Sequence, residues 1–117
     1  MIFGKKRVTI GLIEPVILED NKSYKAKIDT GADSSSIDES VVKTLGDKKI
    51  IDHKKVRSAL GRSVRPTIML EIEFQGKKFK EKFTVSDRSR LKYKVLIGKD
   101  ILKKEGFMID PCKQQTK

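Results

Sequence analysis

Hydrophobic positions along this chain recur mostly at a spacing of two, the mark of half-buried strands. Tyr24-Lys-Ala-Lys-Ile28 alternates, and so do Ile68, Leu70, Ile72 and Phe74 against Met69, Glu71 and Glu73. After Gln75-Gly76 the pattern resumes at Phe79, Phe83 and Val85, which predicts two strands joined by a turn. Lys54 to Ser58 and Ser63 to Phe74 flank Ala59-Leu60-Gly61-Arg62, which predicts a hairpin with glycine at its tip. Val8 to Leu12 and Val16 to Leu18 are predicted as short strands on either side of a break at Glu14-Pro15. Tyr93 to Ile97 reads as a buried strand stopped by Gly98, and Phe107 to Ile109 as a closing one. Helices are predicted at Glu39 to Leu45, capped by Asp38 and ended by Gly46, and at Ile101 to Glu105. Mainly β structure with two short helices is most simply buried as a small closed or partly closed β barrel.

Composition narrows this picture. A length of 117 residues supports one domain with one modest core. We expect a single domain over 1–117, with its core at 8–111 and a short polar tail at 112–117. Tryptophan is absent and aromatics make up 6%, so Ile, Val and Leu must build the core, which again favours strands. No apolar run approaches the roughly 20 residues that span a bilayer. The basic cluster Lys5, Lys6 and Arg7 is not followed by the apolar stretch of a secretory signal. One cysteine, Cys112, cannot form an internal disulfide. Together these predict a reduced, cytoplasmic protein without a membrane partner.

The net charge is +11, and residues 51–117 carry 18 Lys/Arg against 8 Asp/Glu. Such a field attracts polyanions: nucleic acid, anionic lipid or acidic peptide. It also serves solubility alone.

One segment carries chemistry, Ala26-Lys-Ile-Asp-Thr-Gly-Ala-Asp33. A strand delivers the Asp29 carboxylate into a tight turn, Gly31 allows close backbone approach, and the Thr30 hydroxyl is available to brace the turn. Two such loops facing each other across a two-fold axis bring two carboxylates together. Like charges that close share one proton, so one group acts as base on a water and the other as acid toward a carbonyl. Alone, an Asp-Thr-Gly triplet is also an ordinary Asx turn. Downstream, however, stand Val95-Leu-Ile-Gly98 and Lys99-Asp-Ile-Leu102: an apolar strand, a glycine and a helix.

With these motifs in this order, the chain resembles the retropepsins, the dimeric aspartic peptidases of retrovirus type. Asp29 to Asp33 matches their active-site loop, Val95 to Gly98 the strand before their helix, and Lys54 to Leu70 occupies the place of their flap hairpin. A cellular branch of that clan, the retropepsin-like proteins known as ATP-dependent zinc proteases, is more similar still; its members are often encoded beside ATP-grasp glutamate ligases. The matching residues are Lys25 to Ala32, Val56-Arg-Ser58 with Arg65-Pro66, Asp87-Arg-Ser-Arg-Leu-Lys-Tyr93 and Phe107-Met-Ile-Asp-Pro111. Two positions depart from the retropepsin pattern. Lys99 stands where Arg usually pairs with the residue matching Asp33, and a lysine cannot form the bidentate fork. The tip, Leu60-Gly61-Arg62, is less glycine-rich than a viral flap.

The resemblance implies a homodimeric aspartic endopeptidase with Asp29, Thr30 and Gly31 as the catalytic loop. Ala32, Asp33, Arg57, Leu60, Gly61 and Arg62 are expected to meet the substrate, and Gly98 and Lys99 to support the loop. The basic segment from His53 to Arg65 points to acidic or glutamate-modified peptides. Zinc finds no ligand set here: the chain has one His, His53, read as a surface or turn residue, and one Cys. Nor is there a phosphate-binding Gly-x-x-x-x-Gly-Lys-Ser/Thr loop for ATP. No metal or cofactor is expected. The alternative from another class is a basic binding module for nucleic acid, although the stacking aromatics expected of single-strand binders are scarce. A bare dimerisation domain would leave the Asp29 loop unexplained.

Overall fold

Among the residues described by the computed structural model, 7–58 and 61–114, seven strands join one sheet and the sheet closes on itself. In chain order the strands are β1 (Thr9–Ile10), β2 (Ile13–Ile17), β3 (Ser23–Ile28), β4 (Ser36–Asp38), β5 (Asp52–Ser58), β6 (Gly61–Phe74), β7 (Lys77–Ser86), β8 (Val95–Ile97) and β9 (Met108–Ile109). Helix α1 (Glu39–Thr44) follows β4, and α2 (Lys99–Glu105) follows β8. The sheet order is β2-β3-β8-β4-β7-β6-β5, and β2 also pairs with β6 through Val16↔Phe74 and Ile17↔Glu73. That last pairing makes a ring of β2, β3, β8, β4, β7 and β6, the expected small barrel. β5 stays outside it, paired only with the first half of β6. β1 and β9 form a separate parallel pair.

The division of β6 follows from its side chains. Ile68, Leu70, Ile72 and Phe74 are fully buried and belong to the barrel wall, where Ile68 faces Phe83 and Ile72 faces Phe79 in the ladder with β7. Upstream, Arg62-Ser-Val-Arg65 offers no apolar face to bury. This stretch leaves the wall and projects with β5 as a two-stranded arm. Phe74 also packs edge-to-face on Phe107 at 5.4 Å between ring centres.

Several details differ from what the sequence predicts. The break at Glu14-Pro15 is absent, because β2 runs through both residues. Its second neighbour, β6, joins only from Val16 onward, so the N–H that Pro15 lacks is not needed by a second strand. Glu14 is buried, accepts the Gly11 N–H at 2.7 Å and pairs with Lys113 Nζ at 2.8 Å, so a residue of the expected polar tail is tied to the start of the fold. β4 was not expected at all. It is held between β8 and β7 by ladder bonds and by a 2.8 Å contact between the Ser36 and Ser86 hydroxyls, not by apolar alternation. Finally, α2 begins at Lys99 and so includes Asp100.

Asp38 caps α1 as expected and does more. Its buried carboxylate accepts the Ser40 hydroxyl, the Ser40 N–H at 3.1 Å and the backbone N–H of Arg88. Burial pushes this carboxyl up, but the Ser40 hydroxyl and the two N–H donors outweigh it and hold it below its ordinary value of 3.8. A depressed folded value means the stabilisation is complete above the unfolded value and fades as pH falls through the folded one. Asp38→Asn should cost about 1–3 kcal/mol at neutral pH. In urea unfolding from pH 7 to pH 2, its gap to wild type should close below about pH 4. A gap independent of pH would contradict this role.

Candidate active site

The two strands that present the site run parallel. β3 and β8 pair as Ala26↔Val95, Lys27↔Leu96 and Ile28↔Ile97, so both end at the same level. Asp29 therefore leaves one strand beside Gly98 leaving the other, and the Asp29 N–H donates to the Ile97 carbonyl at 2.9 Å. The Asp29 Oδ1 accepts the Gly31 N–H at 2.9 Å, and the Ala32 N–H reaches the Asp29 carbonyl at 3.3 Å. The aspartate thus closes its own turn, with its side chain half-buried and Thr30 and Gly31 exposed beside it.

Gly98 makes this arrangement possible. A Cβ built there would lie 2.8 Å from the Ala32 and Ser34 carbonyl oxygens and from the Ser34 carbonyl carbon, all backbone atoms. The Lys99 N–H donates to the Ala32 carbonyl at 2.8 Å across the same gap. Ser35 completes the inner brace. Its hydroxyl accepts the Gly98 N–H at 3.0 Å, while its own N–H and O–H donate to the Asp100 carboxylate at 3.0 and 2.7 Å. The expected pair of Asp33 and Lys99 also forms, at 2.9 Å, but the two side chains are 82% and 45% exposed. The Lys99 hydrogen bond and charge hold the Asp33 carboxyl below its ordinary range. A pair so exposed is screened by water and contributes little. The Ser35–Asp100 brace escaped the sequence reading, since nothing local links residues 65 positions apart.

A cleft of about 290 Å³ lies between this loop and the arm. Of the expected substrate-contacting residues, Ala32, Asp33 and Arg57 line it, as does Gly31 of the catalytic loop. Arg62 stands directly opposite Arg57 in the β5–β6 ladder, and Gly61 pairs with Ser58. Gly61 has φ +114°, a conformation other side chains rarely adopt. Leu60 lies outside the described residues. Lys54 stands opposite Arg65, so the arm carries two directly opposed like-charge pairs, which cost stability in a sheet. Lys54 acts electrostatically on Asp33, and Arg65 on Arg88. Arg65 and Arg88 both line the cleft and were not singled out beforehand as contact residues. His53 is exposed on β5. Among the described residues no three His, Cys, Asp or Glu side chains are placed to share a metal ion, so the donor set for zinc is missing there.

Residues 39–117 match the family model RimB-like, described as retropepsin-like aspartic endopeptidase RimB; the match starts after the Asp29 loop. Among solved structures, a Legionella pneumophila protein of unknown function is 23% identical with a TM-score of 0.69, over 95% of this chain and 98% of that one. The EIAV protease in complex with an inhibitor is 19% identical with a TM-score of 0.69, over 94% and 98%. The retroviral protease-like domain of Ddi1 from Leishmania major is 26% identical with a TM-score of 0.61, over 92% and 81%. No curated protein sequence matches significantly.

The brace makes a graded prediction. Gly98→Ala should cost about 1–3 kcal/mol or more by forcing backbone apart. Asp100→Ala should cost about 1–3 kcal/mol by leaving the buried Ser35 donors unpaired. Lys99→Ala should change stability far less than either. Urea denaturation of the three variants decides it, and a Lys99→Ala loss as large as that of Asp100→Ala would make the outer pair the true brace.

Proposed function

Because the chain belongs to the RimB-like family of retropepsin-like aspartic endopeptidases, we propose that it hydrolyses peptide bonds as a homodimer in which two Asp29 carboxylates share one proton. The observation that carries this reading is a half-buried aspartate, fixed by a rigid loop at the edge of a cleft, in a chain that offers one such loop. A two-fold axis beside exposed Thr30 and Gly31 would pair the loop with its own copy. The ionised carboxylate takes a proton from a water whose oxygen attacks the peptide carbonyl carbon. The protonated carboxylate gives its proton to the carbonyl oxygen. Collapse of the tetrahedral species with proton delivery to the amide nitrogen releases both products and restores the pair. Each copy would contribute one domain spanning 1–117, acting in the cytoplasm. No helix among the described residues is long and apolar enough to cross a membrane.

The substrate we propose is an acidic or glutamate-modified peptide. The arm carries Lys54, Lys55, Arg57, Arg62 and Arg65, and a dimer doubles that set around one cleft. Cations so placed raise the local concentration and on-rate of a negatively charged chain. The same charge favours a second reading, a binding module for nucleic acid, and the two part on measurement.

Asp29→Asn should lower turnover of an acidic peptide about 10²–10⁴-fold while leaving the fold intact. Wild-type activity should follow a bell-shaped pH profile whose two apparent values belong to the pair. Salt titrations of binding, run in parallel with oligoglutamate and RNA, test the substrate class. Binding of RNA but not of oligoglutamate at low salt would remove the acidic-peptide reading.

A further inference from the structure

The residue hardest to explain by folding alone is Arg88. It is 7% exposed, yet no carboxylate among the described residues lies within ion-pair distance of its guanidinium. Buried arginines are almost always paired. Its Nε donates to the Tyr93 carbonyl at 2.9 Å, and its backbone N–H is taken by Asp38. The Nε bond anchors the guanidinium and leaves its two terminal amino groups without a hydrogen-bond acceptor among the described residues; no side-chain nitrogen there is both fully buried and unpaired, so these groups reach solvent. Arg88 lines the cleft, and the charges that act on it are Arg65, Asp38 and Asp29. So a pre-oriented cation lies near the proposed catalytic carboxylate, with a second guanidinium, that of Arg65, close enough to repel it.

Arg65 is also out of place on folding grounds. It stands across the ladder from Lys54, another cation, and it is half-buried although it makes no ion pair among the described residues. Two guanidinia lining one cleft repel each other in the empty protein. An arriving carboxylate offsets that repulsion and gains charge-assisted hydrogen bonds in the fork geometry that arginine favours. Apolar Leu96, on the same cleft, would border the aliphatic part of such a group.

We propose that Arg88 and Arg65 form a carboxylate-binding subsite beside the scissile bond, which fixes an acidic group of the substrate next to Asp29. Arg88, in the loop between β7 and β8 and tied to Asp38 and Tyr93, is the anchored half, and Arg65 the half delivered by the arm. The subsite deepens the acidic-peptide reading and rests on it for its substrate, while its test reads binding and needs no turnover.

The carboxylate has two possible sources, a glutamate side chain or the α-carboxylate of a chain end. Fluorescein-labelled hexaglutamate, with a free or an amidated C-terminus, would be titrated into full-length Asp29→Asn protein, with a Gly/Ser hexapeptide as the uncharged control. Adding Arg88→Gln or Arg65→Gln to that background should weaken hexaglutamate binding about 10–100-fold and leave the control unchanged. Arg88→Lys should recover only part of the loss, because the ammonium keeps the charge but not the fork. Equal binding of the free and amidated peptides assigns the subsite to a side chain, and loss of binding on amidation assigns it to a chain end. If Arg88→Gln does not fold, Arg65→Gln, on the projecting arm, carries the test. Hexaglutamate binding unchanged by Arg65→Gln and by whichever Arg88 variant folds would overturn the inference, whatever the fate of the peptidase reading. Conversely, arginine-dependent binding by a wild-type protein that cleaves nothing would keep the subsite and discard the peptidase.

Discussion

The Ala32 carbonyl accepts the Lys99 N–H at 2.8 Å, and that approach is open only because residue 98 has no side chain. From this contact the rest of the site takes its position. It joins two parallel strands at the point where both end, so that an aspartate leaving one is locked to a helix starting after the other. Ser35 and Asp100 then close the space behind the loop with hydrogen bonds between groups that face little water. The loop is therefore rigid by backbone geometry and buried polar pairing, and the exposed ion pair of Asp33 and Lys99 adds little. Rigidity matters because the proposed chemistry needs two carboxylates at fixed separation, and a mobile loop would not hold them there.

Charge is distributed by a different logic. The barrel wall buries Ile, Leu, Val and Phe and satisfies its few buried polar groups internally. The arm outside the wall carries opposed pairs of cations, Lys54 with Arg65 and Arg57 with Arg62, that a strand pair selected for stability alone would avoid. Arg88, in the loop after β7, adds a further guanidinium to the same cleft. An arrangement that costs the free protein something in three places is understandable if a negatively charged chain supplies the missing partners.

Much of this architecture was legible in the sequence, and the exceptions share one cause. Alternation at Ile68 to Phe74 and at Tyr24 to Ile28 marks wall strands because burial on one face leaves a period of two. Asp38 reads as a cap, and Gly98 as the stop of a strand. By contrast, β4 is held by serine hydroxyls and ladder bonds, so Ser36-Ile-Asp38 shows no period. Pro15 suggests a break unless one knows that β2 lacks a second neighbour there. The loop itself was legible because Asp29-Thr-Gly-Ala32 and Val95-Leu-Ile-Gly98 are local strings. Its brace was not, since Ser35 and Asp100 meet only through the fold. Arg65 and Arg88 stand in motif strings, but only the fold brings them to one cleft, where neither makes an ion pair among the described residues.

The central claim is that one chain supplies half a site. The most direct measurement mixes wild-type and Asp29→Asn chains in varying ratio at fixed total concentration, lets them exchange, and records peptide cleavage. If two Asp29 carboxylates act together, only the wild-type pair turns over, so activity falls as the square of the wild-type fraction, to about one quarter at equal mixing. A linear fall, to about one half at equal mixing, would mean that each chain carries a complete site and would contradict the account.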